Sequence, residues 1–291
     1  MSVQSIAVAS AKSFGDFVIA HSVLHRVESQ AHERVRLIAG SHVRSLATIL
    51  PPDVRVTFLA LGDERVPAIF DVRKRGPLSA VRSALWLRGE LNSLVRQGQE
   101  VLAFEGLGIR ERFIAGRWPV VGPSRRRNIY ETYAHFLRDR GIPVVAATAL
   151  AADATRRSIG IFPESRLAAK TLGETTISTI VRRATAAGLE ARLFILEGDP
   201  TGAPESDRVT RIPRDFKSLA AAIRSVDCVV SADSLPAHLA DYFARPVFVA
   251  APFANEYWLP HGCYIARRWG LFSNPAAFRV ALDRFFGECR R

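Results

Sequence analysis

The stretch Val229-Val230-Ser231-Ala232-Asp233-Ser234-Leu235-Pro236-Ala237-His238-Leu239-Ala240 decides the fold of this sequence. An apolar run of strand length ends in a turn of small residues. A helix then opens with Pro236 in its first turn, where the missing N–H costs no helical hydrogen bond. The first amides of a helix entered this way form an anion site suited to a pyrophosphate. Asp233 and Ser234 lie in the turn itself. His238 follows within about one helical turn, on the ligand side if Leu239 faces the core.

The same strand-to-helix alternation continues in both directions. In the second half strands are expected at 158–162, 191–196, 228–231 and 247–250, with helices at 175–187, 216–224, 236–243 and about 276–286. In the first half strands are expected at 4–10, 34–39, 54–61, 68–72 and 100–104, with helices at 17–30, 42–50, 78–96 and 129–140. The long helix should carry Leu85, Leu87 and Leu91 toward a core, and Gly141 signals a helix stop. Residues 110–123 fit neither period well. Residues 142–155, rich in Ala, Val and Thr, read as the passage between domains. This pattern predicts an α/β protein of two Rossmann-like, doubly wound parallel-sheet domains facing a cleft, 1–150 and 151–291. The last helix is free to pack back on the first domain. In such sheets ligands bind beyond the carboxyl ends of the strands, so chemistry is expected in the loops that follow strands.

Charge is the most unusual global property. Forty Lys and Arg against 28 Asp and Glu give a formal net charge of +12 over 291 residues. That balance predicts attraction to polyanions or phosphorylated substrates. Arg73-Lys74-Arg75 and Arg125-Arg126-Arg127 are the basic clusters, and guanidinium groups suit bidentate phosphate contacts. Basic and aromatic residues are not interleaved and no RNA or DNA module is recognisable, so nucleic acid is not an expected partner. No apolar run reaches the roughly 18–20 residues that span a bilayer. Residues 1–10 read as a strand rather than a signal peptide. Cys228, Cys263 and Cys289 form no CxxC pair, which predicts neither a zinc knuckle nor a disulfide framework. A cytoplasmic location is expected.

Two further loops follow predicted strands. Lys12-Ser13-Phe14-Gly15-Asp16 joins the first strand to the first helix. Asp16 there either caps the helix and meets its dipole, or acts as a general base toward a bound hydroxyl. The loop is not GxGxxG, which removes the main support for a dinucleotide-binding dehydrogenase. Phe162-Pro163-Glu164-Ser165-Arg166-Leu167-Ala168-Ala169-Lys170 follows the first strand of the second half. Ser165 can donate a hydrogen bond, while Arg166 and Lys170 either neutralise a diphosphate or are ordinary surface cations.

Taken together these blocks resemble glycosyltransferase family 9, the ADP-heptose:lipopolysaccharide heptosyltransferases. Asp233-Ser234-Leu235-Pro236-Ala237-His238-Leu239-Ala240, with Arg245-Pro246-Val247 after it, is similar to the family's Asp-Ser/Thr-Gly-Pro-x-His-x-Ala…Pro signature. Trp258-Leu259-Pro260-His261-Gly262 looks like the loop that follows, and Ser13-Phe14-Gly15-Asp16 matches the N-terminal Ser-x-Gly-Asp. The resemblance implies the GT-B fold and inverting, metal-independent transfer of a heptose-like sugar from an ADP-sugar to a lipopolysaccharide core or related anionic glycan. It implies Asp16 as the base, with Ser165, Arg166, Lys170, Asp233, Ser234 and His238 around the donor. Lys12, Ser13, Arg73, Lys74, Arg75, Arg125, Arg126 and Arg127 are the candidates for holding a phosphorylated glycolipid acceptor. No cofactor or metal is expected beyond the nucleotide-sugar co-substrate, and the expected place of work is the inner face of the bacterial inner membrane. Two departures stand out. Leu235 replaces the signature Gly, and Lys170-Thr171-Leu172-Gly173 replaces Lys-x-Trp-Pro. The chain is also somewhat shorter than typical members, and this together with Leu235 supports a second expectation, a GT-B-fold protein that binds a nucleotide sugar or glycan without turning it over.

Overall fold

The computed structural model describes residues 5–10, 13–59, 76–94, 100–105, 109–116, 118–121, 128–146, 157–198 and 208–290. The chain divides into two compact units, Met1–Ala147 and Thr148–Arg291.

Among the described residues the first unit is built on five parallel strands: β1 (Ser5–Ser10), β2 (Val35–Gly40), β3 (Val56–Leu59), β4 (Glu100–Glu105) and β5 (Val120–Val121), in the order β3-β2-β1-β4-β5. β1 is central and Ile6 to Ser10 are buried, as a parallel strand covered on both faces must be. Its helices are α1 (Phe14–His25), α2 (Arg44–Ala47), α3 (Pro77–Leu94), α4 (Ile109–Ala115) and α5 (Ile129–Arg138). α4 and β5 occupy the stretch whose periodicity fits neither element well; both are short. α1 stops five residues earlier than its apolar pattern suggests, and Ser29–Arg34 turns as a 3-10 helix instead. On α3 the core-facing residues are Ala84, Leu87 and Leu91, packed on Ala7, Ala9, Ile38 and Leu102. Leu85 is a correction: it is 51% exposed. Helical spacing explains it, because 84, 87 and 91 share one stripe and 85 falls about 100° away. The expected strand at 68–72 lies outside the described residues.

The second unit holds six parallel strands: β6 (Ser158–Phe162), β7 (Glu190–Leu196), β8 (Val209–Ile212), β9 (Cys228–Ala232), β10 (Val247–Ala251) and β11 (Trp269–Leu271). Their order is β11-β10-β9-β6-β7-β8. β9 and β10 are buried throughout, hence their unbroken apolar sequences. β8 and β11 are additions to the expected set. They lie at the two edges, and with only Ile212 buried in β8 and Gly270 in β11 they carry little apolar signal. The helices are α6 (Glu174–Ala186), α7 (Phe216–Arg224), α8 (Leu235–Tyr242), α9 (His261–Ala266) and α10 (Pro275–Cys289). Phe278, Leu282, Phe285 and Phe286 of α10 lie in the core of this unit, with Phe248 of β10 beside Phe278 and Phe285. The last helix thus buries its apolar face in the second unit.

Each sheet has a point where the winding reverses. The chain runs outward from β1 to β2 and β3, then resumes at β4 on the other side of β1. It likewise runs from β6 to β7 and β8, then resumes at β9 on the other side of β6. Loops after the two strands that flank such a reversal part in opposite directions and leave a crevice at their carboxyl ends. The loops carrying Asp16, Lys170 and Asp233 follow β1, β6 and β9. Among the described residues no helix is long and apolar enough to cross a membrane.

Candidate functional site

In the second unit the loops after β6, β7 and β9 are tied to one another. The Ser234 hydroxyl donates to Glu164 O at 2.9 Å, and Glu164 Oε1 accepts from the Leu196 amide at 3.0 Å. The β6 loop is closed on itself by Leu172 N to Pro163 O at 2.9 Å, with the Leu172 side chain buried beneath it. Thr171 Oγ1 accepts from the Ser165 amide and donates to Ser165 O, both at 3.3 Å, while Ser165 Oγ accepts from Leu167 N. A short 3-10 turn, Ala168–Lys170, then aims the lysine.

The aim is specific. Lys170 Nζ lies 2.6 Å from Asp233 Oδ2, with side-chain exposures of 18% and 8%. His238 of α8 is buried beside this pair. Burial drives its imidazole down to about 4; the Asp233 carboxylate pulls upward and the Lys170 ammonium pushes downward. His238 is therefore neutral at pH 7. Leu239 is buried on the core side, as the sequence pattern requires. The exposed Phe253 ring, in the loop after β10, lies 5.9 Å from Lys170 Nζ. Ser165, Lys170, Asp233, Ser234 and His238 thus come from the loops and helix start bordering one sheet reversal. Arg166 is in the same loop but exposed, and makes no hydrogen bond to the described residues.

The start of α8 contributes fewer amides than its sequence suggests. Pro236 has none, and Ala237 N turns back to Ser234 O at 3.1 Å. Ser234 makes no side-chain cap, because its hydroxyl is engaged with Glu164. Cationic side chains must therefore supply most of the attraction for an anion here. The loop 258–262 is anchored on α8: Gly262 N donates to Asp241 Oδ1 at 3.0 Å, and a Cβ at Gly262 would lie 2.5 Å from that oxygen. A side chain there would force the Asp241 carboxylate to move and disturb this hydrogen bond.

In the first unit Ser13 is the N-cap of α1. Its Oγ accepts from the Asp16 amide at 3.3 Å and donates to Asp16 Oδ2 at 2.9 Å. Ser13 thus makes its half of a capping box, while the Asp16 carboxylate accepts from the Ser13 hydroxyl rather than from the backbone N–H. Ser13, not Asp16, caps the helix; Asp16 sits in the first turn, where its half-buried carboxylate meets the helix dipole at the carboxyl end of β1 and is held by Ser13. Phe14, part-exposed, meets the His42 ring at 5.8 Å, so the loops after β1 and β2 touch. Lys12, Arg73, Lys74, Arg75, Arg125, Arg126 and Arg127 lie outside the described residues.

Several contributors carry no sequence signal. Glu164, Thr171 and Phe253 act through loop contacts that no motif marks. A second cluster in the first unit is equally silent. His25 Nδ1 lies 2.6 Å from Asp53 Oδ2, and the buried His21 nearby has its imidazole lowered to about 4, chiefly by burial. His21 and His25 are one helical turn apart, but Asp53 arrives from a different loop.

No protein-family model matches the chain, and no curated protein sequence does. The likeness is to solved structures. A glycosyl transferase family 9 protein from Veillonella parvula superposes with TM-score 0.61 at 12% identity, covering 94% of this chain and 87% of that one. Escherichia coli heptosyltransferase WaaC, solved with ADP, gives TM-score 0.64 at 14% identity over 98% and 100%. Escherichia coli ADP-heptose lps heptosyltransferase II gives 0.54 at 15% over 98% and 99%. At such identities the likeness is one of fold: this chain has the two-unit α/β architecture of the GT-B heptosyltransferases.

Proposed function

We propose that the protein is a glycosyltransferase that takes its sugar from a nucleoside diphosphate donor, with Lys170 at the diphosphate and Asp16 as general base. The observation that carries this reading is the Lys170–Asp233–His238 cluster at the sheet reversal of a GT-B fold. A part-buried ammonium at such a position has a clear task. As the glycosidic bond breaks, the leaving diphosphate gains charge, and a fixed cation stabilises that state more than the ground state. Arg166, exposed in the same loop, adds a second cation. Ser165 and Ser234 shape the loops, and neutral His238 lies buried near Asp233.

The reaction this implies is a single displacement. The acceptor oxygen attacks the anomeric carbon from the face opposite the leaving group, the carbon–oxygen bond to the diphosphate breaks, and Asp16 takes the acceptor proton. Configuration inverts. Ser13 holds the carboxylate in place for that step. The donor class is supported by the likeness to heptosyltransferase WaaC, which was solved both with ADP and with ADP-2-deoxy-2-fluoro heptose. An ADP-heptose-like donor and an anionic glycan acceptor, such as a lipopolysaccharide core at the membrane surface, complete the reading. The net charge of +12 suits such an acceptor.

The test is transfer from a panel of nucleotide sugars to phosphorylated core oligosaccharides, with ADP binding measured by calorimetry. Transfer with inversion at the anomeric carbon supports the proposal. Leu235 in the signature favours one alternative, binding without turnover. ADP binding with no transfer to any acceptor would establish it. No ADP binding at all would remove both.

A further inference from the structure

Cys228 opens β9 and Cys289 closes α10, 61 residues apart in sequence. Both side chains are buried, at 0% and 1% exposure, in the same apolar core. Their sulfur atoms are 2.6 Å apart. Two unbonded sulfurs do not rest comfortably at that separation, whereas a bond needs only a further closure of about 0.5 Å. Cys263 is different. It is buried too, but its thiol donates to Val247 O at 2.9 Å, and burial pushes its pKa well above that of a free thiol.

We infer that Cys228 and Cys289 form a dithiol that closes to a disulfide in the folded protein, fastening the end of α10 to the start of β9. The oxidant is a small disulfide such as oxidised glutathione. A thiolate of the pair attacks it and releases one glutathione thiol. The second cysteine then attacks the mixed disulfide and releases another. Two protein thiols lose two protons and two electrons, and one disulfide becomes two thiols. Helix ends fray, so Cys289, the last residue of α10, is the sulfur that meets the oxidant first. The link bears on the site because β9 ends at Ala232, immediately before Asp233. It is independent of the reaction proposed above.

The experiment uses the purified full chain, incubated with oxidised glutathione in native buffer and in urea below the unfolding midpoint. The expected product has lost the mass of two hydrogen atoms. A non-reducing digest joins the Cys228 and Cys289 peptides, and Cys263 remains alkylatable after denaturation. Cys263→Ser still forms the link; Cys228→Ser and Cys289→Ser do not. The linked form melts about 5–10 °C higher, and a phosphine reductant abolishes the gain. Pairing of Cys263 with either partner, a stable glutathione adduct without closure, or three reduced thiols at every urea concentration overturns the inference.

Discussion

Lys170 Nζ and Asp233 Oδ2 stand 2.6 Å apart although their loops are 63 residues apart in sequence. A diphosphate must share or take the ammonium from a carboxylate that itself repels phosphate. The pair is therefore a competitor as well as a brace. Asp233→Asn is expected to tighten ADP binding by about tenfold, since one repulsion is removed and Lys170 is released. Lys170→Ala is expected to weaken it by about 10- to 100-fold. It should also cost about 1–3 kcal/mol of stability, because Asp233 is left 8% exposed without its cation. Calorimetric titration with ADP and urea melts read both. Weaker ADP binding by Asp233→Asn would make the carboxylate a donor contact instead.

Asp16 is held by Ser13 whether or not it also reacts, so the two roles separate by measurement. Asp16→Asn keeps the shape and most of the cap and is expected to abolish transfer with ADP affinity unchanged. Ser13→Ala removes the cap at a cost of about 1 kcal/mol and lowers turnover by loosening the carboxylate. Unchanged transfer by Asp16→Asn would leave Asp16 a first-turn acid held by the cap and nothing more.

Much of this site was legible in the sequence, and the rest was not for a physical reason. Ser165, Lys170, Asp233, Ser234 and His238 all follow buried strands, whose apolar runs announce themselves, and the helix after Pro236 has its start in view. What sequence does not carry is which loop touches which. Glu164 fastens two loops through one backbone carbonyl and one carboxylate oxygen. Asp53 pairs with His25 across 28 residues, and the Cys228 and Cys289 sulfurs meet across 61. Edge strands β8 and β11 escaped because neither buries enough side chains to impose a period. Leu85 was misplaced because three leucines in seven residues look like one stripe, when Ala84 completes the buried stripe instead.

His21 and His238 make stability depend on pH in a defined window. Each has a folded-state pKa lowered to about 4 from an ordinary 6.5. The unfolded chain therefore binds protons that the folded chain refuses, and stability falls as pH drops from about 6.5 toward 4. Below the folded value the loss stops growing. The full effect is about 3 kcal/mol per histidine as an upper figure. Urea midpoints at pH 7, 5.5 and 4.5 should fall in that order. His238→Gln should remove about half of the slope, and an unchanged slope would show that His238 is accessible to protons when folded.

The close approach of Gly262 to Asp241 is a contact that a double-mutant cycle isolates. Gly262→Ala places a Cβ 2.5 Å from Asp241 Oδ1 and disturbs the hydrogen bond to the same oxygen. A loss of about 1–3 kcal/mol is expected. In an Asp241→Ala background the oxygen that meets the Cβ and accepts the hydrogen bond is gone, and the same substitution should cost under about 0.5 kcal/mol. Equal costs in the two backgrounds would place the strain elsewhere.

Helix α3 presents apolar residues on two sides. One side holds the buried Ala84, Leu87 and Leu91; the other holds Leu78, Val81 and Leu85, at 86%, 52% and 51% exposure. The exposed three follow i, i+3, i+7 spacing and so form a stripe, with exposed Arg82 beside it and Arg73-Lys74-Arg75 just ahead in sequence. Apolar contact with a cationic border is the combination that binds an anionic lipid surface. Sedimentation with vesicles containing phosphatidylglycerol should pull the protein down, and purely zwitterionic vesicles should do so weakly. Raising the salt should release it, because charge attraction is screened over about 10 Å at 0.1 M. Replacing Leu78, Val81 and Leu85 together by Ser should cut binding by about tenfold or more while leaving ADP affinity unchanged. Undiminished binding by that variant would assign membrane attraction to the basic residues alone, and loss of ADP affinity would mean that the stripe serves the fold.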